Sequence, residues 1–460
     1  MSRETVFTSI DPYSGEPLAS YAEMSPGQVD AAIEQARKAQ RDWVRRPLRE
    51  RAECLLSLGR RLREGCERYA ARMAGEMGKV AREGRAEVEK CARACEFFAE
   101  HGERWLRSEP VKTEALISRV EYPPLGLVFA IMPWNFPFWQ VLRFGIPALI
   151  AGNGIVLKHA PNVFGSALDL EALFREAGFP EGLVRALLID TTQVAGIIED
   201  PRVAAVTVTG SVRVGRIVAA LAGQALKKSV LELGGSDPFV VLDDADIEQA
   251  AAAAVASRFQ NCGQSCIAAK RLIVDESLRP AFEQALIERI GALRCGDPVR
   301  EDTDLGPLAR GDLRDGLHRQ VEASRRAGAR VVLGGALPAG PGFRYPPTLL
   351  TGVDPGSPAC REELFGPVAV LIGVRNETEA IRMANATEYG LAASVWTADP
   401  DRGGRVAAEI EAGAVFVNRV PFSDPRLPFG GVRQSGYGRE LSRLGLLEFC
   451  APRSVWVERA

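Results

Sequence analysis

The spacing of hydrophobic positions changes along the chain. Residues 26–107 carry apolar side chains at helical spacing within Arg- and Glu-rich sequence, which predicts one helix after another. We assign the many charges of this stretch to solvated helix faces. Between 117 and 132 the period changes, because an alternating run at 117–122 precedes a continuously apolar run at 127–132. This pattern predicts a strand that leads into a fully buried strand.

From residue 127 onward, short apolar runs alternate with helix-like segments of roughly a dozen residues. Strands of a first series are predicted at 127–132, 153–158, 184–189, 203–209 and 229–233, with helices at 138–151, 163–177, 192–200 and 211–223. A second series has strands at 238–242, 270–275, 330–334, 367–374, 391–397 and 413–418, with helices at 245–258, 278–293, 311–327, 376–386 and 401–411. Buried strands separated by helices predict an α/β fold class with two doubly wound parallel sheets. Such sheets bind ligands at the carboxyl ends of their strands.

Two alternating segments lie outside these units, at 117–122 and 454–458. They could pair into a small protruding sheet whose exposed edge mediates oligomerisation, so we expect a homodimer or homotetramer. The domain boundaries predicted on this basis are 1–108 with 124–234, then 235–427, with the small sheet formed by 109–123 and 441–460.

Composition narrows the class of protein. A chain of 460 residues can form two or three domains, and 46% apolar and 25% charged residues are typical of soluble globular proteins. A net charge of -2 gives no electrostatic reason to expect a nucleic acid or membrane partner. No apolar run is long enough to span a bilayer, and residues 1–5 lack an apolar signal-peptide core. We therefore expect a cytoplasmic protein.

The nine cysteines do not form a disulfide framework. An odd number in a long chain without an export signal indicates reduced thiols. Cys262 and Cys266 have C-x-x-x-C spacing, but the three histidines are scattered, so we expect no metal site.

Cys266 is the strongest candidate for chemistry. It follows a run of small and polar residues, and Glu232 ends a strand-like run earlier in the chain. A thiolate can attack a carbonyl carbon to form a covalent intermediate, and a carboxylate can activate the water that resolves it. Spacing alone leaves open whether the two residues meet.

Four other motifs lie at the ends of predicted strands. Asn135 lies between two prolines and could donate to an oxyanion or simply form a turn. The run 209–215 could bind phosphate at a helix N-terminus or supply only a serine cap, and it lacks the G-x-G-x-x-G spacing. Lys158 could reach a sugar or be an exposed lysine, and the acidic run at 362–367 could bind a ribose or be a charged loop.

The order and spacing of these motifs resemble the aldehyde dehydrogenase superfamily over nearly the full length, and bacterial NAD(P)-dependent succinate-semialdehyde dehydrogenases in particular. The matching stretches are PWNFP at 133–137, LK at 157–158, TGSxxxG at 209–215, LELGG at 231–235, GQSC at 263–266, EELFGPV at 362–368 and PFGGVRQSGYGRE at 428–440. The resemblance implies a nicotinamide-binding domain, a catalytic domain and a small oligomerisation sheet.

The resemblance also implies residue roles. Cys266 would be the nucleophile, Glu232 the general base, and Asn135 an oxyanion donor together with the backbone N–H of Cys266. NAD or NADP would be bound by one set of residues: Lys158 at the adenosine ribose, Ser211 at the pyrophosphate with Gly210 and Gly215 of the same motif, Glu363 at the nicotinamide ribose, Phe365 near the nicotinamide, and Trp134 lining the cofactor site. The reaction would pass through a thiohemiacetal and a thioester, which water would hydrolyse to the acid.

Three positions depart from the family pattern. Ser236 stands where many members have lysine, and Pro161 where NAD-preferring members often have glutamate, so the preference between NAD and NADP stays open. Phe144 stands where many members have lysine, so a proton relay through that lysine is absent.

The resemblance further implies a short semialdehyde substrate, succinate semialdehyde first, in a pocket with a cation for its carboxylate. Arg143 and Ser423 match the carboxylate-binding positions of such enzymes. Gln260 stands where some members have a second arginine, which Arg426 could replace. The alternatives are a broader aldehyde dehydrogenase for glutarate semialdehyde or aromatic aldehydes, and a cofactor-independent cysteine hydrolase.

Overall fold

A hairpin and four helices precede the first large sheet. The computed structural model describes residues 6–459, so residues 1–5, on which the signal-peptide expectation rests, and residue 460 lie outside it. The first elements are β1 (Val6–Ile10), β2 (Pro17–Ala22), α1 (Pro26–Trp43), α2 (Leu48–Glu64), α3 (Cys66–Met77) and α4 (Ala81–Leu106). The predicted succession of helices is confirmed. The antiparallel hairpin of β1 and β2 was not predicted, because its residues are mostly exposed and give little hydrophobic signal.

The first large sheet is parallel along most of its width. Two short strands come first along the chain and belong to a separate small sheet: β3 (Glu109–Pro110) and β4 (Ile117–Glu121). The elements of the first large sheet and its helices follow: β5 (Leu127–Met132), α5 (Trp139–Ala151), β6 (Gly154–His159), α6 (Phe164–Glu176), β7 (Val184–Ala186), α7 (Val194–Glu199), β8 (Val203–Thr209), α8 (Val212–Gln224) and β9 (Lys228–Glu232). Strands β9, β8, β5, β6 and β7 are neighbours in that order, and all pair in parallel. Strands β5 and β8 have the bounds predicted from their apolar runs.

The second large sheet has seven strands. The elements are β10 (Asp237–Val241), α9 (Ile247–Phe259), β11 (Ala269–Asp275), α10 (Arg279–Gly291), α11 (Gly311–Arg326), β12 (Arg330–Leu333), β13 (Thr348–Thr351), α12 (Pro358–Arg361), β14 (Val368–Val374), α13 (Glu377–Asn385), β15 (Ala392–Trp396), α14 (Pro400–Glu409) and β16 (Ala414–Val417). Their order across the sheet is β12, β13, β14, β11, β10, β15, β16, and only β12 and β13 pair antiparallel. Strand β13 was missed because it has only four residues.

The end of the chain returns to the earlier sheets. It contains β17 (Gly436–Tyr437), α15 (Ser442–Glu448) and β18 (Arg453–Val457). Strand β17 joins the edge of the first large sheet beside β9, and β18 pairs antiparallel with β4, which pairs with β3. The predicted pairing of two alternating segments into a small sheet is therefore present. The α/β fold class with two doubly wound sheets is confirmed, and none of the helices within residues 6–459 is long and apolar enough to cross a membrane.

Parallel pairing places the carboxyl ends of β5, β6, β8 and β9 along one edge of the first sheet. The loop at 133–137, Lys158, the run 209–215 and Glu232 all lie at this edge. The order of the parallel strands thus brings these four motifs to the same edge of the sheet.

A buried carboxylate fixes helix α5, which follows the first of these loops. Glu87 of α4 accepts the backbone N–H groups of Phe138 and Trp139, each at 2.9 Å, and forms a buried ion pair with Lys79. A helix N-terminus has unpaired N–H groups and a partial positive charge, so this carboxylate satisfies both. The orientation of α5, which carries Arg143, therefore depends on α4.

Arg258 holds the loop after α9 against the segment that leads into β14. It is fully buried and donates to the carbonyls of Val368 at 2.7 Å, Leu364 at 2.8 Å and Gly263 at 3.2 Å. One side chain therefore joins the GQSC and EELFGPV motifs.

Replacement of Arg258 by methionine should lower the free energy of unfolding by about 3 kcal/mol, because several buried carbonyls lose their donor. Thermal unfolding followed by circular dichroism would show a lower Tm. Arg289→Met removes an exposed arginine whose ion pair with Glu248 lies at the surface, and we expect a change within about 0.5 kcal/mol. Equal Tm values for the two variants would contradict the role given to Arg258.

Candidate active site

A buried histidine fixes the loop that follows β5. His159, the last residue of β6, is fully buried, and its Nδ1 accepts the N–H of Ala160 at 3.0 Å. Its Nε2 therefore carries the proton and donates to the carbonyl of Pro137 at 3.0 Å. Burial lowers the pKa of His159 to about 4, so the ring is neutral at physiological pH. The loop 133–137 is thus tied to the neighbouring strand.

Asn135, within this loop, contacts the segment that carries Cys266. Its Nδ2 donates to the carbonyl of Gln264 at 3.1 Å. The Nδ2 of Asn261 donates to the carbonyls of both Asn135, at 2.8 Å, and Gln264, at 3.1 Å. A carboxamide nitrogen has two N–H donors, so one N–H of Asn135 is left for a ligand.

The backbone reverses direction just before Cys266. Asn261 and Cys262 both have a φ of 54°, in the left-handed region. Asparagine tolerates this conformation, whereas a cysteine seldom adopts it. Glu83 of α4 holds the turn by accepting the N–H of Asn261 at 2.9 Å. Backbone strain of this kind is common where a side chain must be presented to a ligand.

The thiol of Cys266 lies in a poorly solvated site between two cations. Burial raises its pKa to about 11, although the charges of Arg143 and Lys270 act to lower it. The Nζ of Lys270 also donates to the carbonyls of Cys266 at 2.6 Å and Ser265 at 2.9 Å. The thiol is thus mostly protonated at neutral pH and needs a proton acceptor when it attacks.

Glu232, at the end of β9, is a buried carboxylate with unused hydrogen-bonding capacity. Its Oε1 has no hydrogen-bond partner, and its Oε2 lies 3.9 Å from Nη2 of Arg143. Burial raises the pKa of Glu232, and the nearby charge of Glu440 adds to the rise. A Cβ on Gly430 would lie 2.8 Å from Oε1 of Glu232, so the chain passes this closely only because residue 430 is glycine.

The segment 428–440 holds the loop after Glu232 in place. Ser435 donates from its Oγ to the carbonyl of Gly234 at 2.7 Å, and its own carbonyl accepts the N–H of Leu233 at 3.0 Å. Together with the pairing of β17 and β9, these bonds fix the position of the base.

Arg143 is not free to act as a surface cation. It is buried on α5, forms a close ion pair with Glu440, and lies 4.4 Å from the centre of the Phe429 ring. Glu440 and Phe429 belong to the PFGG-containing segment, and sequence reasoning assigned neither of them a role. The charge of Arg143 is therefore shared between Glu440 and Glu232.

A cavity of about 170 Å³ contains the thiol. Of the residues predicted for the site, Cys266, Arg143, Gln260 and Ser423 line it. Arg426 does not line this cavity: it is exposed and forms an ion pair with Asp424 at 2.6 Å. The structure thus brings four of the predicted residues together and leaves Arg426 outside. Asn135 and Glu232 do not line this cavity: Asn135 donates to the carbonyl of Gln264, and Glu232 lies 3.9 Å from Arg143, which does line it.

Lys90 of α4 also lines the cavity, although its charge was assigned to a solvated helix face. Its Nζ donates to Oγ of Ser423 at 2.6 Å and lies 4.3 Å from the centre of the Trp139 ring. Burial, and to a smaller extent the charge of Arg143, lowers the pKa of Lys90 to about 8. One feature of the sequence could have indicated that Lys90 is buried: it lies three residues after Glu87, at the border of the buried face of the helix.

The residues predicted at the carboxyl ends of β6 and β8 form a second group. Lys158 is buried, and burial lowers its pKa, while Asp190, which sequence reasoning missed, raises it. Ser211 caps α8 by accepting the N–H of Val214 at 3.4 Å. A Cβ on Gly215 would come within 2.5 Å of the Leu233 side chain, so glycine lets the helix pack closely.

The remaining predicted residues complete this group. Gly210, between β8 and the cap of α8, donates its N–H to the carbonyl of Glu232 at 3.0 Å. Trp134 and Phe365 make an edge-to-face contact with ring centres 5.7 Å apart. Glu363 accepts the N–H of Gly235 at 3.1 Å and lies 3.2 Å from Nζ of Lys270.

This second group fits a dinucleotide. Within residues 6–459, no carboxylate lies within ion-pairing distance of Lys158, so its desolvated ammonium lacks a charged partner. A helix N-terminus offers N–H groups to phosphate, and an aromatic pair offers a surface for a flat ring. The chemistry of the donors therefore agrees with the expected cofactor.

Phe144, one of the three positions that depart from the family pattern, has a structural role. Phe144 is buried against Phe449 with ring centres 6.1 Å apart, so it supplies no proton relay. Cys262 packs in the core of the second sheet, whereas Cys266 packs against the core of the first, and both are free thiols. Across residues 6–459, no group of three or more His, Cys, Asp or Glu side chains is placed to hold a metal ion.

Comparisons with known proteins agree with this site. The aldehyde dehydrogenase family model matches residues 1–455. The NAD(P)+ succinate semialdehyde dehydrogenase Sad of Escherichia coli (strain K12) is 48% identical over 451 residues, covering 98% of each chain. The NADP+ succinate-semialdehyde dehydrogenase of Mycolicibacterium paratuberculosis is 44% identical over 453 residues, covering 98% of this chain and 96% of that protein.

A solved structure is similarly close. The crystal structure of succinic semialdehyde dehydrogenase from Streptococcus pyogenes in complex with NADP+ superimposes with a TM-score of 0.96. It is 36% identical, and the match covers 98% of this chain and 100% of that chain. Similarity of sequence and fold over nearly the whole length means that this chain belongs to the aldehyde dehydrogenase family.

Proposed function

We propose that the protein oxidises succinate semialdehyde to succinate, with NAD or NADP as the hydride acceptor. The observation that carries this proposal is the cavity around Cys266, which also contains Arg143, Lys90 and Ser423. A short aldehyde that ends in a carboxylate has a charged partner there, and a neutral aldehyde does not. The relatives from Escherichia coli and Streptococcus pyogenes, which act on this substrate by name, support the same assignment.

The first step is attack by the thiol of Cys266 on the aldehyde carbon. Because the thiol is mostly protonated, Glu232 accepts its proton, and a carboxylate with a raised pKa is a better base than an ordinary one. The free N–H of Asn135 and the backbone N–H of Cys266 donate to the oxygen that becomes negative. Preorganised donors of this kind stabilise a transition state by about 3–4 kcal/mol.

A bound nicotinamide would supply the hydride acceptor, and loss of hydride from the thiohemiacetal carbon would leave a thioester on Cys266. The chain contributes Lys158 and Glu363 for the two riboses, the N-terminus of α8 for the pyrophosphate, and Trp134 and Phe365 beside the ring. Glu232 first releases the thiol proton to solvent and then takes a proton from the water that attacks the thioester. The Cys266 thiolate leaves, so the product is a free carboxylic acid.

We also propose a homo-oligomer formed through the small sheet of β3, β4 and β18. Several large apolar residues on or beside these strands are exposed, which is typical of a surface covered by another subunit. They are Val111, Leu116, Ile117, Trp456 and Val457.

The first test is substrate preference. Wild-type protein should oxidise succinate semialdehyde with a kcat/KM at least about tenfold above that for butanal, which has a methyl group in place of the carboxylate. Cys266→Ala should lower NAD(P)H formation by at least ~10³-fold with either substrate. The measurement is initial-rate absorbance of the reduced cofactor.

Cys295→Ala is the matched control, because it removes an exposed cysteine elsewhere in the chain. Equal kcat/KM values for the two aldehydes would favour a broader aldehyde dehydrogenase. Ester hydrolysis without cofactor, and no aldehyde oxidation, would favour a cysteine hydrolase.

Glu232→Gln should slow thioester hydrolysis more than hydride transfer. Rapid-mixing kinetics should then show a burst of about one NAD(P)H per site, followed by a slow steady rate.

In the wild type, kcat should fall as the pH is lowered towards neutrality. The raised pKa of Glu232 means that its carboxylate takes up a proton, and stops acting as a base, at a higher pH than an ordinary carboxylate does. An unchanged steady rate and pH profile in Glu232→Gln would contradict its role as base.

The oligomer is tested by light scattering on the full chain. The mass should be a multiple of 49.7 kDa, and Trp456→Asp should shift it towards the monomer. Leu226→Asp is the control, because Leu226 is exposed on another surface. A monomeric wild type would refute the proposal.

A further inference from the structure

The two cations of the catalytic cavity differ in what surrounds them. Arg143 is held by Glu440 and lies close to Glu232, so internal carboxylates already balance its charge. Lys90 has no such partner, because within residues 6–459 no carboxylate oxygen lies within ion-pairing distance of its Nζ. The uncompensated positive charge of the cavity is therefore that of Lys90.

Lys90 also keeps donors for a ligand. An ammonium group has three N–H donors, and one of them goes to Oγ of Ser423 at 2.6 Å. The ring of Trp139 lies against the same Nζ, with its centre 4.3 Å away, which orients the ammonium without using a donor. Two N–H groups are thus left.

Ser423 is set up as a donor by the bonds that it accepts. Its Oγ accepts the Nζ–H of Lys90 and, at 3.0 Å, the Nε1–H of Trp139. Both lone pairs of the hydroxyl are then occupied, so its own O–H can only donate. Ser423 is buried, and within the described chain its O–H has no acceptor. A buried hydroxyl donor beside an ammonium is a binding site for a carboxylate.

We propose that Lys90 and Ser423 bind the carboxylate of the substrate and that Lys90 is the residue that selects acidic aldehydes. This inference rests on the proposed function and replaces the earlier expectation for Arg426. Gln260 stands where some family members have a positively charged arginine. In this chain Lys90 of α4, which is far away in the sequence, supplies the positive charge instead. Arg143 then acts mainly on Glu232 and the thiol.

The location of Lys90 and Ser423 suits a substrate that has a carboxylate at one end and an aldehyde at the other. Lys90 and Ser423 line the cavity that contains Cys266, and they also line an outer depression at the protein surface. The carboxylate would therefore be held in the wall between solvent and the thiol, while the aldehyde points inward.

The charge of Lys90 should make substrate selection depend on pH. Its pKa is lowered to about 8, mainly by burial and then by Arg143. Ionisable groups face Lys90 from both sides. Arg143, Glu87, Cys91, Cys266 and Glu83 lie on the side of the catalytic cavity, and Glu89, Arg93, Asp424 and Arg426 line the outer depression. As pH rises through the pKa, the ammonium becomes neutral and loses its attraction for a carboxylate. Preference for the acidic aldehyde should therefore be complete below this pH and decline above it.

The experiment compares succinate semialdehyde with its methyl ester, which has the same chain but no charge. The quantity measured is the ratio of the two kcat/KM values. Lys90→Met should lower this ratio about 10- to 100-fold, because one charge-assisted contact is lost. Lys90→Arg should recover part of it. Arg104→Met, which removes an exposed charge from the same helix, should leave the ratio unchanged.

The wild type provides a test that does not depend on a variant folding. Its ratio should be constant at neutral pH and fall above about pH 8, approaching tenfold for each further pH unit. In Lys90→Met the ratio should be flat across this range. Comparing the two substrates cancels the titration of Glu232 and Cys266, which affects both.

The outcomes separate this inference from the proposed function. If wild-type protein does not prefer succinate semialdehyde to its ester, the proposed function fails and the inference fails with it. If the wild type shows the preference but Lys90→Met keeps it, or loses activity equally on both substrates, only the role of Lys90 is overturned. A ratio that does not change with pH in the wild type would also overturn it.

Discussion

The buried guanidinium of Arg143 is the charge on which the rest of the site depends. It forms an ion pair with Glu440, lies 3.9 Å from Glu232 and lowers the pKa of the Cys266 thiol. Removing two carboxylates and a cation from water costs several kcal/mol for each ion, so such a cluster is a poor source of stability. Its value is electrostatic: it keeps a base and a nucleophile within one desolvated site, with a fixed cation between them.

This cluster joins parts of the chain that are distant in sequence. Arg143 stands on α5, Glu232 ends β9, and Glu440 belongs to the segment that returns from the second sheet to the first. Helix α5 is itself held by Glu87 of α4. The helices before the first sheet thus contribute to the chemistry, although their own sequence shows only amphipathic periodicity.

The division of charge within the cavity explains how one small space can serve two purposes. The charge of Arg143 is balanced by internal carboxylates and acts on the reacting groups. Lys90, whose charge is not balanced, is free to attract a ligand. The two cations stand on neighbouring helices, and the charge of Arg143 contributes to the lowered pKa of Lys90.

Hydrophobic patterning and motif spacing were enough to predict the fold class, the parallel strands and the motif residues. Strands β5 and β8 could be bounded to the residue because a strand buried on both faces must be continuously apolar. The hairpin of β1 and β2 and the short strand β13 could not, because exposed or four-residue strands leave little pattern. Which charged side chains meet depends on how the helices and sheets pack together. The sequence pattern of an amphipathic helix predicts that a charged residue on it is solvated. Whether Lys90 faces water or the Cys266 cavity depends on what packs against α4. The partner of Arg143 lies almost three hundred residues along the chain, a distance over which no local pattern in the sequence can pair two side chains.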